Sequence, residues 1–213
     1  MKLGPPSLLH RVVPMRLKLP QRRRGIEGPW PLPCEPARVI IWINGPFGAG
    51  KTTVTGQLLQ ARPAPPTFDT EHVGYLLGPP LQERKPVADF QDWVSWRRLV
   101  VATLVEISDE LGSDIVVPQT VVVEQYWSEI TSGLAERDVA LRAFTLDVAP
   151  DEHERRIAAD QVEAQAAGWR RQRRADFDTA LPLLRAASEV VDTTMLSPAQ
   201  VAQTITRALD DGR

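Results

Sequence analysis

A glycine-rich segment from Gly45 to Thr53 holds the residues best suited to chemistry. Four of them, Gly45, Gly50, Lys51 and Thr52, fit the pattern G-x-x-x-x-G-K-[ST]. Glycines in this pattern let the backbone approach a ligand closely, and consecutive N–H groups form a nest for an anion. The lysine contacts the β- and γ-phosphates of a nucleoside triphosphate, and the hydroxyl binds Mg²⁺. We therefore predict ATP contacts along this P-loop segment from Gly45, Gly48, Ala49, Gly50, Lys51, Thr52 and Thr53.

Two elements must position such a loop, a buried strand before it and a helix after it. Residues 39–43 are apolar and rich in isoleucine, which is typical of a strand buried on both faces. Residues 51–60 predict the helix. An ordinary glycine-rich turn is the alternative, but it does not require strand, loop and helix in this register.

A pair of carboxylates follows the second predicted strand, which ends at residues 68–69. Asp69 and Glu71 come just before or within the start of a helix. Because the carboxyl ends of strands in an open α/β sheet face the ligand crevice, either group can reach an acceptor hydroxyl as a base. Asp69 is also a candidate ligand of Mg²⁺, together with Thr52. Helix capping by the same two side chains is the alternative.

The clearest helical period of the chain runs from Trp93 to Leu111, and Gly112 ends it. Trp96 lies on the apolar stripe, so burial in the core competes with a role in substrate binding. Arg97 is harder to explain by packing. We predict that it contacts a phosphate or a substrate oxygen, with a surface ion pair as the alternative.

Residues 114–118 predict another buried strand, followed by Gln119 and Thr120. These two residues offer neutral hydrogen-bonding groups to a substrate, although polar residues at strand ends often satisfy only the backbone. The strand lacks the terminal aspartate of a Walker B motif. Bound Mg²⁺ would therefore rely on Thr52, phosphate oxygens, water and Asp69.

Arginines are concentrated in the last third of the chain. A helix over residues 151–167 carries two of them, Gly168 is predicted to interrupt it, and four more follow within five residues. On a mobile lid, such arginines neutralise charge on a transferring phosphoryl group. For each single arginine a solvated helix face is the alternative. The candidates are Arg155, Arg156, Arg170, Arg171, Arg173 and Arg174.

Composition separates a tail, residues 1–38, from a P-loop domain, residues 39–213. The tail has eight Lys/Arg, two Glu and eight of the 19 prolines, for a net charge of +6, whereas the whole chain carries −2. We predict that the tail is disordered, and a native start near Val39 is an alternative. The acidic domain disfavours nucleic acid as the main partner.

Other features of the composition limit the cellular setting. No apolar run approaches the roughly 18 residues of a membrane span, and the N-terminus lacks the apolar region of a signal peptide. The single cysteine, Cys34, fits a reducing compartment, so we expect a cytoplasmic protein. The oligomeric state is not readable from the sequence.

Several segments together resemble the ATP-binding tunicamycin-resistance proteins and, more distantly, the chloramphenicol phosphotransferase and shikimate kinase branch of P-loop small-molecule kinases. They are IIWINGPFGAGKT at the P-loop, FDTEHVG at 68–74, WR at 96–97, VVPQT at 116–120, and Trp169. The resemblance covers residues 39–208. It implies an α/β, three-layer P-loop NTPase fold with a five-stranded parallel sheet, a lid and an acceptor pocket.

The resemblance also implies roles for individual residues. Asp69 matches the first acid of the kinase segment and Glu71 the second, as base or metal ligand. Adenine contacts are implied near Asp192 and Thr193. Asp160 stands where many relatives carry a lid arginine, which leaves open whether Arg155, Arg156, Arg170 or Arg174 performs the lid function.

The remaining motifs narrow the function. Asn44 is the only asparagine, so the N-K-x-D motif of a GTPase is absent, and so is the L-S-G-G-Q signature of a transporter ATPase. Two hypotheses remain. One is an ATP- and Mg²⁺-dependent kinase acting on a hydroxyl of a small molecule, such as an antibiotic of the tunicamycin type. The other is ATP-dependent sequestration of that compound without chemistry.

Overall fold

The computed structural model describes residues 38–61, 65–160 and 167–212. Within them the strands are β1 Val39–Asn44, β2 Ile115–Pro118, β3 Ala140–Asp147 and β4 Glu189–Asp192. The helices are α1 Lys51–Ala61, α2 Glu71–Leu81, α3 Val94–Leu111, α4 Glu124–Ala135, α5 Pro150–Ala159, α6 Ala167–Ala187 and α7 Pro198–Asp211, with one 3₁₀ turn at Phe90–Asp92. None of these helices combines the length and hydrophobicity that crossing a membrane requires.

The four strands form one parallel sheet in the order β2-β1-β3-β4. Side chains alternate between the two faces of β1, and both faces are buried. Ile40 and Trp42 pack with α3 and α4, whereas Ile41 and Ile43 pack with α1 and α7. This three-layer α/β arrangement confirms the predicted fold class.

The prediction of five strands is wrong in one detail, because the segment before Asp69 does not form a strand. It makes a single parallel bridge between Thr67 and Val116 on the outer side of β2. Phe68 N donates to Val116 O (2.9 Å) and Val116 N donates to Pro66 O (2.9 Å). Prolines 65 and 66 have no N–H group, so the ladder cannot extend further in that direction.

Two helix boundaries also differ from the predictions. Helix α2 continues through Pro79 and Pro80 to Leu81, where the sequence predicts a loop from Gly78. Gly168 does not interrupt a helix, since it is the second residue of the 21-residue α6, and α5 ends at Ala159. The prediction of a disordered tail concerns residues that, apart from Arg38, lie outside the described part of the chain, and it stays a prediction.

All four strands end at the same edge of the sheet, as parallel strands must. Asn44, Pro118, Asp147 and Asp192 are their last residues. The P-loop, the segment after β2 and the segment after β4 therefore meet at this edge. The start of α2 joins them because the bridge at Thr67 fixes its position beside β2.

Substitution of Gly74 in α2 can test how tightly this helix packs against the 3₁₀ turn. A Cβ added at Gly74 would lie 2.8 Å from ring atoms of Phe90, whose ring packs 5.2 Å from that of Trp96. We expect Gly74→Ala to lower the free energy of unfolding by about 1–3 kcal/mol through overpacking, measured by urea denaturation. Gly56→Ala in α1 is the matched control, because nothing lies within 4 Å of its Cβ.

In the control, replacing a helical glycine by alanine is expected to raise the free energy of unfolding by up to about 1 kcal/mol. Equal effects of the two substitutions would contradict the packing described here.

Candidate functional site

The P-loop adopts the conformations that its glycines permit. Gly45, Gly48 and Gly50 have φ angles of 151°, 90° and 92°, all in the region that other residues avoid. Close packing adds a second reason for glycine at position 45, where a Cβ would lie 3.0 Å from Leu146 O. The loop leads directly into α1, so its N–H groups stand at the positive end of a helix.

The side chain of Asn44 joins the P-loop to the segment after β2. Its Oδ1 accepts from Gly45 N (2.8 Å) and from Val121 N (3.3 Å), and its Nδ2 donates to Val121 O (2.9 Å). Thr120 adds a fourth link, since its hydroxyl donates to Gly45 O (2.7 Å). Sequence reasoning missed this role of Asn44; the signal was a polar residue ending a run of buried apolar ones.

Lys51 lies folded against the loop that it follows. Its ammonium donates to Gly45 O (3.0 Å) and Pro46 O (3.1 Å) and lies 5.0 Å from the centre of the Phe47 ring. Desolvation lowers the pKa of Lys51 to about 7, the positive charge of Arg170 adds to this, and Glu71 opposes it. In the described part of the chain, the hydrogen-bond acceptors of this ammonium are two neutral carbonyl groups, and an anionic ligand would supply a negative charge.

A cavity of about 550 Å³ opens beside Lys51, at the carboxyl edge of the sheet. It brings together residues that the sequence placed far apart. Its polar lining, which includes Lys51, Thr52, Glu71, Gln119, Thr120, Asp160 and Arg170, combines two cations, two carboxylates and neutral hydrogen-bonding groups. We call it the acceptor-side cavity.

The two candidate carboxylates differ in their surroundings. Glu71 lines the acceptor-side cavity, and Tyr75 donates from its hydroxyl to Glu71 Oε2 (3.1 Å). Asp69 is exposed and accepts from Glu71 N (2.9 Å), so its carboxylate holds the start of α2. Asp69 is not one of the described residues that line the acceptor-side cavity. This geometry favours Glu71 over Asp69 for contact with a ligand in the cavity.

A second cavity, of about 600 Å³, lies on the other side of the P-loop, and we call it the base-side cavity. Arg156 and Thr193 form part of its wall. Arg156 donates from Nη2 to Thr193 O (2.6 Å) and from Nη1 to Thr193 Oγ1 (3.1 Å). Gly48, Gly50 and Thr53 line both cavities, so one ligand lying along the loop could occupy both.

Asp192 and Thr193, the residues predicted near the adenine, are held by hydrogen bonds at the end of β4. Asp192 accepts from Thr194 N (2.9 Å), which contributes to lowering the pKa of Asp192. Thr193 is buried, and its N–H donates to Asp147 O (2.8 Å). Arg155 and Arg156 both donate to Glu152 and lower its pKa to about 2, which keeps that carboxylate ionised.

Helices α5 and α6 lie against the P-loop, as a lid would. The ring of Trp169 meets that of Phe47 edge-on at 4.3 Å, and His153 Nε2 lies 2.7 Å from Phe47 O. Burial lowers the pKa of His153, which favours its neutral form. Arg170 reaches the acceptor-side cavity and donates to Asp160 Oδ2 (2.7 Å).

The remaining lid arginines are engaged outside the two cavities. Arg174 donates to Asp178 Oδ1 (2.7 Å) and to Val148 O (3.0 Å). Arg171 pairs with Glu154, and Arg173 pairs with Asp176. Of the predicted candidates, Arg170 lines the acceptor-side cavity, and Arg155 and Arg156 line the base-side cavity.

Trp96 and Arg97 are predicted to contact a substrate, but the structure buries both side chains. Trp96 is fully buried, and its Nε1 donates to Thr70 O (3.1 Å). Arg97 is buried between α3 and α4, where its Nε donates to Glu129 Oε2 (2.6 Å). Neither Trp96 nor Arg97 is among the described residues that line the acceptor-side cavity. Helical periodicity indicates burial of Trp96, but it says nothing about a partner on another helix.

Comparison with known sequences identifies the family. The sequence profile of the AAA_33 family, described as an AAA domain, matches residues 40–180. The chain belongs to this family. No curated protein matches the chain.

Solved structures show the same fold. The tunicamycin resistance protein of Deinococcus radiodurans is 27% identical, with a TM-score of 0.65, and the match covers 82% of this chain and 96% of that one. Shikimate kinase from Acinetobacter baumannii is 20% identical (TM-score 0.57; 84% and 96% covered), and a gluconokinase from Sinorhizobium meliloti is 14% identical (TM-score 0.58; 84% and 95% covered). The resemblance to tunicamycin-resistance proteins and to the shikimate kinase fold is thus confirmed.

Lys51 gives the site a measurable proton linkage. With a pKa of about 7 in the free protein, the amine is largely neutral at pH 8, and phosphate charge raises its pKa. Binding of Mg-ATP at pH 8 is therefore expected to take up close to one proton, and affinity falls as the pH rises above 7. Titration calorimetry at pH 8 in two buffers of different ionisation enthalpy measures this uptake.

Lys51→Met is the control for this titration. The variant retains the length of the side chain without the amine, so its binding enthalpy should not depend on the buffer. Equal proton uptake by the variant and the parent protein would assign the proton to another group.

Proposed function

We propose that the protein is an ATP-dependent phosphotransferase that moves the γ-phosphoryl group of ATP to a hydroxyl of a small molecule. We further propose that the acceptor is an antibiotic of the tunicamycin type and that phosphorylation confers resistance to it. The 27% identity over most of the chain to the D. radiodurans tunicamycin resistance protein supports this choice of acceptor. The proposed location is the cytoplasm, where ATP is available.

The observation that carries the proposal is the pair of cavities that share one phosphate-binding loop. The base-side cavity, of about 600 Å³, offers space for the nucleoside part of ATP beside Thr193 and Arg156. The acceptor-side cavity places Lys51, Thr52 and Glu71 around one space at the end of the loop. A γ-phosphoryl group and an acceptor hydroxyl would meet there, which a protein that only binds nucleotide does not require.

The residues of the acceptor-side cavity can divide the chemistry among them. The acceptor oxygen attacks the γ-phosphorus, the bond to the β–γ bridging oxygen breaks, and ADP leaves. The Glu71 carboxylate takes the proton of the hydroxyl, and Gln119 and Thr120 orient the acceptor. Lys51 and Arg170 stabilise charge on the phosphoryl oxygens.

The residues present also fit a magnesium ion. The Thr52 hydroxyl at the start of α1 lines the acceptor-side cavity and is the oxygen donor that this position supplies. The predicted contact of Asp69 through water would have to reach the ion from outside the cavity wall. Bound Mg²⁺ would neutralise phosphate charge at this point. The described residues contain no group of three or more His, Cys, Asp or Glu that could hold a metal without the nucleotide.

Mass spectrometry tests the proposal directly. Incubation with Mg-ATP and a panel of antibiotics that includes tunicamycin should add one phosphoryl group, about 80 Da, to a member of the panel, and ADP should appear in equal amount. Tight, ATP-dependent binding with no change in mass would instead establish sequestration and refute the transferase. A reaction mixture without Mg²⁺ is the control.

The two carboxylates provide a matched pair of variants. Glu71→Gln should retain binding of ATP but lose transfer by about 10²- to 10⁴-fold, because the amide cannot accept the proton. Asp69→Asn should lower activity much less, since its carboxylate caps α2. Measured rates and ATP affinities of both variants decide the assignment. The reverse order of effects would make Asp69 the base.

A further inference from the structure

A buried arginine outside both cavities has contacts that lead back to the P-loop. The side chain of Arg97 is only 3% exposed. Its Nε donates to Glu129 Oε2 (2.6 Å), its Nη1 donates to Gln91 O, and its guanidinium lies over the Tyr126 ring at 4.1 Å. A buried cation needs such partners to offset its desolvation, so the guanidinium has a fixed position before any ligand arrives.

Gln91 carries this constraint toward the site. It belongs to the 3₁₀ turn Phe90–Asp92, and its side chain is buried. While its carbonyl accepts from Arg97, its Nε2 donates to Thr120 O (2.9 Å). Arg97 therefore holds the backbone of a residue whose side chain holds the segment after β2.

Thr120 completes the chain at the P-loop. Its hydroxyl donates to Gly45 O (2.7 Å), and Lys51 donates to the same oxygen (3.0 Å). Gly45 O thus has two donors in the free protein. When a phosphate group draws the Lys51 ammonium away, Thr120 is the donor that remains, and without it a buried carbonyl would lose its partners.

We propose that Arg97 is a positioning residue for phosphoryl transfer, acting through Gln91 and Thr120 on Gly45 and Lys51. Its contribution to catalysis rests on the proposed function, whereas the coupling to the P-loop does not. Arg97 fixes Gln91, Gln91 fixes Thr120, and Thr120 lets Lys51 exchange its carbonyl partners for phosphate. We call this chain, from Glu129 through Arg97, Gln91 and Thr120 to Gly45, the relay.

A direct contact between Arg97 and the acceptor is the competing role, and the geometry argues against it. Arg97 lines a groove between α3 and α4 together with Arg98 and Glu129, whereas Lys51 and Glu71 line the acceptor-side cavity. Two of the hydrogen-bond donors of Arg97 already have protein acceptors. The two roles also predict different kinetics. Loss of a substrate contact would raise the KM for the acceptor, whereas disruption of the relay would weaken the binding of Mg-ATP.

Hydrogen exchange in the nucleotide-free protein tests the relay without relying on activity. Gln91→Met removes only the link from Gln91 to Thr120 and leaves the pair of Arg97 and Glu129 intact. We expect backbone amides of the peptide from Asn44 to Thr53 to exchange roughly 3- to 10-fold faster in this variant, the effect of one lost hydrogen bond. Unchanged exchange in that peptide would overturn the relay.

Arg97→Lys should produce the same acceleration, because an ammonium cannot reproduce the two-sided fork of the guanidinium. Arg98→Lys is the matched control, since Arg98 is the exposed neighbour on α3 and lies outside the relay. If Arg97→Lys does not fold, the exchange of Gln91→Met alone decides the question.

A double-mutant cycle measures the coupling between residues that do not touch. Arg97→Lys and Thr120→Val are each expected to weaken Mg-ATP binding roughly 3- to 10-fold, and the double variant by little more than either alone. Additive losses, or an effect of Arg97→Lys confined to the acceptor KM, would contradict the relay. If the parent protein transfers no phosphoryl group, the proposed kinase activity is refuted, but the result of the hydrogen-exchange experiment still stands.

Discussion

The hydrogen bonds of one buried side chain, Asn44, hold the two halves of the site together. Its amide accepts from Gly45 N and Val121 N and donates to Val121 O, so three buried backbone groups at two strand ends depend on it. Each would be costly to leave unpaired. Trp42, two residues earlier on the same strand, donates from its indole to Gln119 O (2.9 Å). The central strand thus positions the phosphate-binding loop and the wall opposite it.

This arrangement explains why the free site favours a polyanion. The loop carbonyls at Gly45 and Pro46 accept from Lys51, but they do not provide the charge that a buried ammonium needs, and Arg170 nearby adds a like charge. Asp160 pairs with Arg170 at 2.7 Å. A triphosphate would relieve both effects at once. The lowered pKa of Lys51 and the geometry of the P-loop therefore both favour an anionic ligand at this position.

Much of the fold could be predicted because local rules determine it. The apolar run of β1 and the periodicity of α3 with Gly112 as its C-cap both match the structure. What the sequence could not show depends on distant partners. Glu129 lies 32 residues beyond Arg97, and no local pattern indicates that they pair. The prediction of a fifth strand was wrong for a local reason: Pro65 and Pro66 have no N–H groups to donate to a neighbouring strand.

The separation of the two cavities has a consequence for specificity. The base-side wall combines the P-loop with α1, α5, the segment after β4 and the start of α7. The acceptor-side wall shares the P-loop and adds the start of α2, the residues after β2, Asp160 and the start of α6. Substitutions there need not disturb the sheet. Under the proposed function, Glu71, Gln119 and Thr120 recognise the acceptor, whereas Arg97 acts on the nucleotide side through Gln91, Thr120 and Gly45.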